Sequence, residues 1–373
     1  MPSADRKTIP SEFRSLLAPG IDAIAPYQPG KPLSELEREY GIRDAIKLAS
    51  NENPLGPGER ALAAARAALA DLGRYPDGGG FALKRALARR LGVAPEQLTL
   101  GNGSNDVLEL LARTFASDGD EVVYAQHAFA VYELATLAVG ARPVVVPARN
   151  WGHDLAAMQR AVTERTRLVF IANPNNPTGT WVSRDELVAF LDAIPRRVVV
   201  VLDEAYFEYV EEPSYPDGIA LLARYPNLAV TRTFSKIHGL AGLRVGYAVT
   251  TAEIAEYLNR VRQPFNVNSV ALAAAEAALE DEAHVERSRA LNREGMRQLV
   301  EGLAALGLDH IPSVGNFVTF DVGRPAGEVY EALLRRGVIV RPVANYGMPR
   351  HLRVTIGLPE ENARFLAALR EVI

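Results

Sequence analysis

Residues 197–209 read RVVVVLDEAYFEY, and the predicted fold follows from the pattern that they begin. Residues 198–202 are apolar without a break, which is typical of a strand covered on both faces, as in a parallel sheet. The run ends at Asp203 and Glu204. A carboxylate leaving such a strand is costly to desolvate without a partner. Asp203 therefore either caps a following helix or pairs with a cationic atom of a ligand.

Similar apolar runs recur between residues 98 and 250: EVVYA (121–125), RPVVVPA (142–148), RLVFIAN (167–173), LAVTRTF (228–234) and RVGYAVT (244–250). Helix candidates separate them: SNDVLELLARTFA (104–116), SRDELVAFLDAI (183–194) and AEIAEYLNRVR (252–262). Ser183 and Glu186 give the second candidate a capping box. This alternation predicts an α/β fold whose large domain is a doubly wound, mostly parallel sheet.

The pattern changes after residue 265. A long Ala-rich helical region is followed by NFVTFDVG (316–323), the helix PAGEVYEALLRRG (325–337), the strands VIVRP (338–342) and HLRVTIGL (351–358), and a last helix, 359–373. We predict a large domain over 49–264 and a smaller α+β domain over 265–373. Residues 1–48 include the proline-rich PYQPGKP (26–32) and are predicted to be an extended arm on the small domain.

Composition narrows the function classes. The 373 residues contain no cysteine, which excludes disulfides, thiolate metal sites and a thiol nucleophile. The net charge of -4 and the dispersed Lys and Arg give no basic bias towards nucleic acid. The six histidines lack helical metal-site spacing, so metal catalysis is not expected. The N-terminus has no apolar segment typical of a signal peptide, and we expect a cytoplasmic protein without a membrane span.

Ligands of open α/β sheets bind beyond the carboxyl ends of the strands, where several polar residues stand in this sequence. GNGSND (101–106) is either a backbone anion site or an ordinary Ser- or Asn-capped helix start. NPNNPTG (173–179) is a rigid turn whose asparagines either shape the turn or contact a ligand. In TFSKIHGLAGLRVG (233–246), Lys236 is either solvated after a Ser235 cap or desolvated and nucleophilic.

These strand ends together offer an anion site, an amide, a carboxylate, a phenol (Tyr206), an amine and a guanidinium (Arg244). Pyridoxal phosphate requires that combination. Its aldehyde needs an amine, its pyridine nitrogen a carboxylate, its phenolate oxygen hydrogen-bond donors, and its phosphate an anion site.

Over nearly its whole length the sequence resembles the fold-type-I pyridoxal-phosphate aminotransferases. The shared motifs keep the family's order: PYQPGKP, SNENPLGP (50–57), RYPDGGG (74–80), GNGSNDVLELL (101–111), NPNNPTG, LDEAY (202–206), TFSKIHGLAGLRVGY, VRPVANYGMP (340–349) and LRVTIGL (352–358). PYQPGKP, RYP and the segment 340–357 are similar to the histidinol-phosphate branch of that family.

The resemblance implies a role for each matching residue. Lys236 would bind the cofactor aldehyde and move the proton between the substrate Cα and cofactor C4′, Asp203 would pair with the pyridine nitrogen, and Asn176 and Tyr206 would bind the phenolate oxygen. Phe129 would stack on the ring. The residues implied to hold the cofactor phosphate are Ser104, Asn105, Thr233, Ser235, Arg244 and, from a neighbouring subunit, Tyr75.

Substrate contacts follow from the same resemblance. Tyr27, Asn51, Arg341 and Arg353 match substrate-binding positions, with Arg353 gripping the carboxylate of glutamate or, with Arg341 and Tyr27, the phosphate of histidinol phosphate. The implied reaction converts histidinol phosphate and 2-oxoglutarate to imidazole acetol phosphate and glutamate. The assignment of Tyr75 to a partner's site implies a two-fold symmetric homodimer with shared active sites.

Other functions remain open on this scaffold. An aromatic amino acid aminotransferase and a threonine-phosphate decarboxylase would use the same cofactor residues, whereas a DNA-binding regulator would need an added segment. Two positions depart from the family pattern. His238 follows Lys236 where an aromatic residue and a glycine are common, and His127 stands where proline is frequent. We interpret His238 as a packing variant.

Overall fold

The structure, a computed structural model, describes residues 11–373, with side chains from Phe13 onwards. Residues 1–10 lie outside the described residues. They are the first part of the predicted arm and most of the N-terminal segment that lacks the pattern of a signal peptide. Over the described residues, no helix has both the length and the apolar character needed to cross a membrane.

The strands follow in chain order: β1 (Ile46–Lys47), β2 (Leu98–Gly101), β3 (Glu121–Ala125), β4 (Arg142–Val146), β5 (Thr166–Ala172), β6 (Val199–Asp203), β7 (Leu228–Thr233), β8 (Gly246–Val249), β9 (His310–Ile311), β10 (Phe317–Asp321), β11 (Val338–Ile339), β12 (Arg341–Pro342) and β13 (His351–Thr355). The helices are α1 (Ser11–Arg14), α2 (Leu33–Tyr40), α3 (Glu59–Ala68), α4 (Phe81–Leu91), α5 (Ser104–Phe115), α6 (Val131–Ala138), α7 (Leu155–Arg160), α8 (Arg184–Ala193), α9 (Ala252–Val261), α10 (Ser269–Ala278), α11 (Glu282–Ala305), α12 (Ala326–Leu334) and α13 (Pro359–Arg370).

Seven strands form the large sheet, in the order β2-β8-β7-β6-β5-β3-β4. Only β8 runs against its neighbours, so the predicted α/β fold with a mostly parallel sheet is confirmed. Side chains of β6 alternate between two helical layers: Val200 and Leu202 pack in one core cluster, Val199 and Val201 in the other. Burial on both faces explains why this strand is apolar at every position.

The parallel strands bring chain segments that are distant in sequence to one edge of the sheet. Ala172 pairs with Asp203 across β5 and β6, and Thr233 pairs with Gly246 across β7 and β8. Gly101 completes the row beside Gly246. The carboxyl ends of β2, β5, β6 and β7 therefore meet at this edge, where a ligand site of an open α/β sheet is expected.

A second, antiparallel sheet has the order β12-β13-β10-β9, and α11, α12 and α13 pack around it. Two details of the predicted C-terminal part were wrong. VIVRP is not one strand, because β11 pairs with β1 near the N-terminus while β12 pairs with β13. The Ala-rich region is two helices, α10 and α11, with residues 279–281 between them.

The N-terminal segment packs where β1 joins β11. Leu36 on α2 is buried in a cluster with Ala49, Leu334 and Ile339, and the Tyr40 hydroxyl donates to the Glu331 carboxylate at 3.0 Å. The described part of the arm is therefore not extended throughout: residues 33–40 form a helix whose apolar side is anchored on α12 and β11.

Candidate active site

One cavity opens at the carboxyl edge of the seven-stranded sheet and reaches the β12–β13 side of the second sheet. The predicted site residues that line it, all of the set except Tyr75, are Tyr27, Asn51, Ser104, Asn105, Phe129, Asn176, Asp203, Tyr206, Thr233, Ser235, Lys236, Arg244, Arg341 and Arg353. The structure thus gathers side chains from positions 27 to 353 of the chain into a single site.

Lys236 lies in the loop after β7 and points into the cavity. Its Nζ donates to the Ser50 carbonyl at 3.3 Å and lies 5.5 Å from the centre of the Tyr206 ring. Burial, reinforced by the Arg353 and Arg244 guanidiniums, lowers the pKa of Lys236 to about 8. No helix begins at Ser235, so the alternative of a capped helix with a solvated lysine is wrong. A large fraction of the amine is neutral near pH 8, as a nucleophile requires.

Asp203 ends β6 and is buried at the back of the cavity. The Tyr132 hydroxyl donates to Oδ2 at 2.9 Å, and the Thr231 hydroxyl donates to Oδ1 at 3.1 Å. Burial raises the pKa of Asp203, and these hydrogen bonds only partly offset the increase. The carboxylate caps no helix, so that alternative is wrong. A buried carboxylate with neutral donors is suited to a cationic partner atom.

Tyr132 and Thr231 were missed from the sequence. Thr231 has a recognisable signal, because it lies two residues before Thr233 on β7 and therefore on the same face of the strand. Tyr132 lies on α6, whereas Phe129 precedes that helix, so no helical period links the two; their rings meet edge-on with centroids 6.0 Å apart.

The side of the cavity beside β2 and β8 is built for an anion. Helix α5 starts after Gly103, and no side chain caps its first N–H groups, which are therefore free to face the cavity. The alternative of a Ser- or Asn-capped start is wrong. Arg244 Nη1 donates to the Ser235 hydroxyl at 3.1 Å. A Cβ at Gly103 would lie 2.3 Å from Arg244 Nη2, and one at Gly246 would lie 2.5 Å from the Ser104 nitrogen. Both glycines are therefore needed for this close packing.

Two buried arginines stand at the opposite side. Arg353 on β13 contacts the Asn176 amide oxygen, and its Nη2 donates to the Ala49 carbonyl at 2.6 Å. Arg341, its partner in register on β12, donates to the Gln28 carbonyl at 2.5 Å and lies 5.7 Å from the Tyr27 ring. Among the side chains that the structure describes, Phe13 to Ile373, no carboxylate forms a salt bridge with either guanidinium. Such a pair is suited to binding an anionic substrate group.

Asn51 and Tyr206 connect the two sides. Asn51 Nδ2 donates to the Tyr206 hydroxyl oxygen at 2.8 Å, and the Thr355 hydroxyl donates to Asn51 Oδ1 at 3.0 Å. Burial raises the pKa of Tyr206 to about 12, although Arg353 and Asn51 act in the opposite direction. The phenol is therefore protonated at neutral pH, and its O–H can donate a hydrogen bond into the cavity.

The remaining candidates lie elsewhere. Tyr75 is 83% exposed and stacks on Phe265 with a centroid distance of 4.8 Å. Asn175 is part of the turn, because its Nδ2 donates to the His127 carbonyl and the Thr178 hydroxyl. His238 is buried with its ring 5.0 Å from the Phe234 ring, and burial lowers its pKa to about 3, so it is a neutral packing residue.

The donor set fits pyridoxal phosphate. Asp203 suits a protonated ring nitrogen, the α5 N-terminus with Ser235 and Arg244 suits a phosphate, and the Lys236 amine lines the same cavity. Among the described residues, no cluster of three or more His, Asp or Glu is arranged to hold a metal ion. The cavity therefore matches the cofactor that the sequence implies.

Comparisons with known proteins bear on this assignment. The sequence matches the family model "Aminotransferase class I and II" over residues 43–369. It is 60% identical to histidinol-phosphate aminotransferase 1 of Nitrosococcus oceani, covering 97% of this chain and 98% of the relative, and 61% identical to histidinol-phosphate aminotransferase 2 of Pseudomonas fluorescens, covering 97% and 98%. The crystal structure of histidinol-phosphate aminotransferase from Sinorhizobium meliloti in complex with pyridoxal-5'-phosphate superposes with a TM-score of 0.88 at 32% identity, covering 96% and 97%.

Proposed function

The chain belongs to the class I and II aminotransferases, within the histidinol-phosphate aminotransferase branch, and from that premise we infer its reaction. It transfers the amino group of L-histidinol phosphate to 2-oxoglutarate, giving imidazole acetol phosphate and L-glutamate in histidine biosynthesis. The observation that carries this inference is the position of the Lys236 amine and the buried Arg353 and Arg341 guanidiniums on one cavity. An amine and an anion site must share a cavity if a phosphorylated or carboxylated amine is to react there.

Pyridoxal phosphate, when bound, supplies an aldehyde that takes up the amino group and a ring that withdraws electrons from the substrate Cα. Asp203 would hold the ring nitrogen protonated, and the Tyr132 and Thr231 hydroxyls fix the direction of its carboxylate. Asn176 and Tyr206 would donate to the phenolate oxygen, and Phe129, which lines the same cavity, would pack against the ring. Ser104, Asn105, Thr233, Ser235 and Arg244 would hold the phosphate.

Lys236 moves the proton at the substrate Cα. Its pKa of about 8 leaves a useful fraction of neutral amine at physiological pH, and the neutral form can accept that proton. The Ser50 carbonyl, 3.3 Å from Nζ, holds the side chain when it is free of the cofactor. Burial of the amine therefore serves both its nucleophilic and its basic role.

Arg353 alternates between two anions during the cycle. With Arg341 and Tyr27 it binds the phosphate of histidinol phosphate, and in the second half-reaction it binds a carboxylate of glutamate or 2-oxoglutarate. A planar guanidinium presents paired N–H groups that match both anions. Asn51 supports this exchange because it links Tyr206 to Thr355 on the same strand as Arg353.

We propose that the working form is a cytoplasmic homodimer. Tyr75 and Phe265 form an exposed aromatic stack, and Phe265 adopts a left-handed backbone conformation with φ of 56°. Exposed aromatic surface of this kind is typical of an interface, and through it Tyr75 would reach the cofactor phosphate in the partner's site. We also propose the division into an arm (1–48), a large domain (49–264) and a small domain (265–373).

The reaction is tested by giving the purified holoenzyme one of three amino donors with 2-oxoglutarate: L-histidinol phosphate, L-phenylalanine or O-phospho-L-threonine. Glutamate formation and carbon dioxide release are measured for each donor. We expect the highest kcat/KM for glutamate formation with histidinol phosphate. Faster glutamate formation with phenylalanine would instead indicate an aromatic aminotransferase, and carbon dioxide release from phosphothreonine would indicate a decarboxylase.

A further inference from the structure

His127, a position that the cofactor and substrate roles do not use, joins the two sheets. It lies between β3 and α6, two residues before Phe129, and has a left-handed φ of 60°. Its Nδ1 lies 2.5 Å from the Tyr346 carbonyl oxygen. A carbonyl can only accept, so Nδ1 carries the proton and donates. The imidazole thereby ties the loop beside Phe129 to the segment between β12 and β13.

Trp151 extends this connection through an unfavourable backbone conformation. Asn150 and Trp151 have φ of 51° and 65° in a two-residue turn closed by reciprocal hydrogen bonds between Arg149 and Gly152. Such turns favour Asn and Gly, and a bulky residue at positive φ is strained. The Trp151 ring lies 5.4 Å from the His127 ring and 4.9 Å from the His351 ring. Strain of this kind persists where the side chain is needed.

The connection ends on the strand that carries the anion-binding arginine. His351, Arg353 and Thr355 alternate along β13, so their side chains share one face. Arg353 contacts Asn176, and Thr355 contacts Asn51. His351 makes the third contact of this face, with the ring of Trp151.

Tyr346 carries the same connection to Arg341. Its side chain is buried in a cluster with Ile311, Val343 and Met348, against which Ala130 packs. Burial raises the pKa of Tyr346, while the Arg353 and Arg341 guanidiniums act in the opposite direction. The loop 127–130 therefore contacts Tyr346 at its carbonyl through His127, and Ala130 packs against the cluster that holds its side chain.

We propose that His127 and Trp151 form a bridge that positions the segment 341–353, and with it Arg341 and Arg353, over the cavity. Both are positioning residues, since they act on the substrate anion only through the arginines. The proposal rests on the proposed function for the identity of the anions, but the bridge itself requires only that an anion binds between the two sheets. Loss of the bridge should weaken the binding of both substrates and leave the chemistry at Lys236 intact.

Two substitutions remove the bridge without straining the chain. His127→Asn deletes the imidazole but keeps a residue that tolerates positive φ. Trp151→Gly creates an Asn-Gly turn, the sequence most favoured for this conformation, and so removes both the ring and the strain. His310→Asn, on β9 away from the cavity, is the matched control.

Steady-state kinetics give the first readout. We expect KM for both histidinol phosphate and 2-oxoglutarate to rise about tenfold in His127→Asn and Trp151→Gly, as loss of one positioning hydrogen bond or contact predicts, with kcat changed less than about threefold. The Tm of Trp151→Gly should stay within about 3 °C of the parent, because relief of strain compensates the lost ring contacts. KM values that stay within about twofold of the parent in both variants would overturn the proposal.

Tryptophan emission gives a readout that needs no turnover. The chain has two tryptophans, so Trp181→Phe leaves Trp151 as the reporter. We expect its emission in the holoenzyme to change as 2-oxoglutarate is added, with half-saturation shifted about tenfold higher when His127→Asn is combined with it. Equal half-saturation with and without His127→Asn would contradict the bridge, whatever amino donor the enzyme proves to use. A combined fall in Tm, kcat and cofactor content in Trp151→Gly would assign that residue a purely structural role and also overturn the proposal.

Discussion

Asp203 and Glu204 are adjacent buried carboxylates at the end of β6 that face opposite sides of the sheet. Glu204 accepts from Arg232 Nε at 2.9 Å, from Arg232 Nη2 at 2.7 Å and from the Gly218 N–H at 2.9 Å. Arg232 also bonds Asp217 at 2.7 Å and lies 3.5 Å from the centre of the Phe207 ring. The charge of Arg232 is therefore balanced by carboxylates of the protein itself.

Asp203 has a different environment. Its side-chain oxygens accept from the hydroxyls of Tyr132 and Thr231, which carry no charge, and Lys236 favours its ionised form only weakly. The contrast separates two reasons for burying a carboxylate. The Glu204–Arg232 pair, in which two guanidinium N–H groups donate to one carboxylate oxygen, fixes β6 against β7, whereas the carboxylate of Asp203 is held ready for a cationic atom of a ligand.

The largest expected effect concerns the cavity side of this contrast. Lys236→Ala should lower kcat by at least about 10⁴-fold, because it removes both the nucleophile and the base at the substrate Cα. Glutamate formation from histidinol phosphate is the measurement. Lys84→Ala is the matched control, since burial also lowers the pKa of Lys84 but that residue lies outside the cavity. Substantial activity in Lys236→Ala, or an equal loss in Lys84→Ala, would contradict the assignment.

Asp203→Asn removes the charge of the Asp203 carboxylate and keeps a side chain of nearly identical shape. We expect kcat/KM to fall about 10³-fold, or about 4 kcal/mol of transition-state stabilisation, because the ring nitrogen loses its charged partner. The free energy of unfolding of the apoenzyme should not fall, since the donors to Asp203 are neutral hydroxyls and the substitution leaves no buried counter-charge unpaired. Urea unfolding of the cofactor-free protein measures this. A loss of several kcal/mol in the apoenzyme would instead give Asp203 a structural role.

Glu204→Gln is the same kind of substitution one residue later and should have the opposite outcome. It leaves Arg232 buried with only the half-exposed Asp217 as a charged partner, which should cost about 3 kcal/mol of stability. The correctly folded fraction should keep near-normal kcat. Asp217→Asn is the control, with an expected loss below about 1 kcal/mol. If Glu204→Gln/Arg232→Met is no more stable than the single variant, the charge-pair explanation is wrong.

The sequence predicted the parts of the site that depend on local order. Apolar strands followed by polar residues place Asp203, Thr233 and Asn176 at the carboxyl edge of one sheet, and the strand and helix periods suffice for this. The motif resemblance added Arg353 and Arg341, which lie in a different sheet. Their entry into the same cavity was not visible from periodicity alone.

What the sequence could not predict are contacts between distant segments. The Glu204–Arg232 pair, the Asn51–Tyr206 hydrogen bond and the His127–Tyr346 hydrogen bond span 28, 155 and 219 residues. Their geometry depends on how the helices and the two sheets pack, and side-chain types at each position are compatible with many partners. For the same reason, the sequence alone does not indicate that Arg232, on a strand, is almost fully buried.

The smallest expected effect is a pH dependence that distinguishes the two sides of β6. The pKa of Lys236 is about 8 in the folded chain, whereas an unperturbed lysine has a pKa of 10.5. Between pH 8 and pH 10.5 the unfolded chain therefore binds more protons than the folded chain. Stability of the apoenzyme should therefore rise with pH, by about 2 kcal/mol between pH 8 and 9.5, relative to Lys236→Met. Urea unfolding at these two pH values measures the difference. Parallel pH profiles of stability for parent and variant would show that Lys236 is not held in a desolvated state. The contrast between the cavity side of β6 and the Glu204–Arg232 pair would then depend on Asp203 alone.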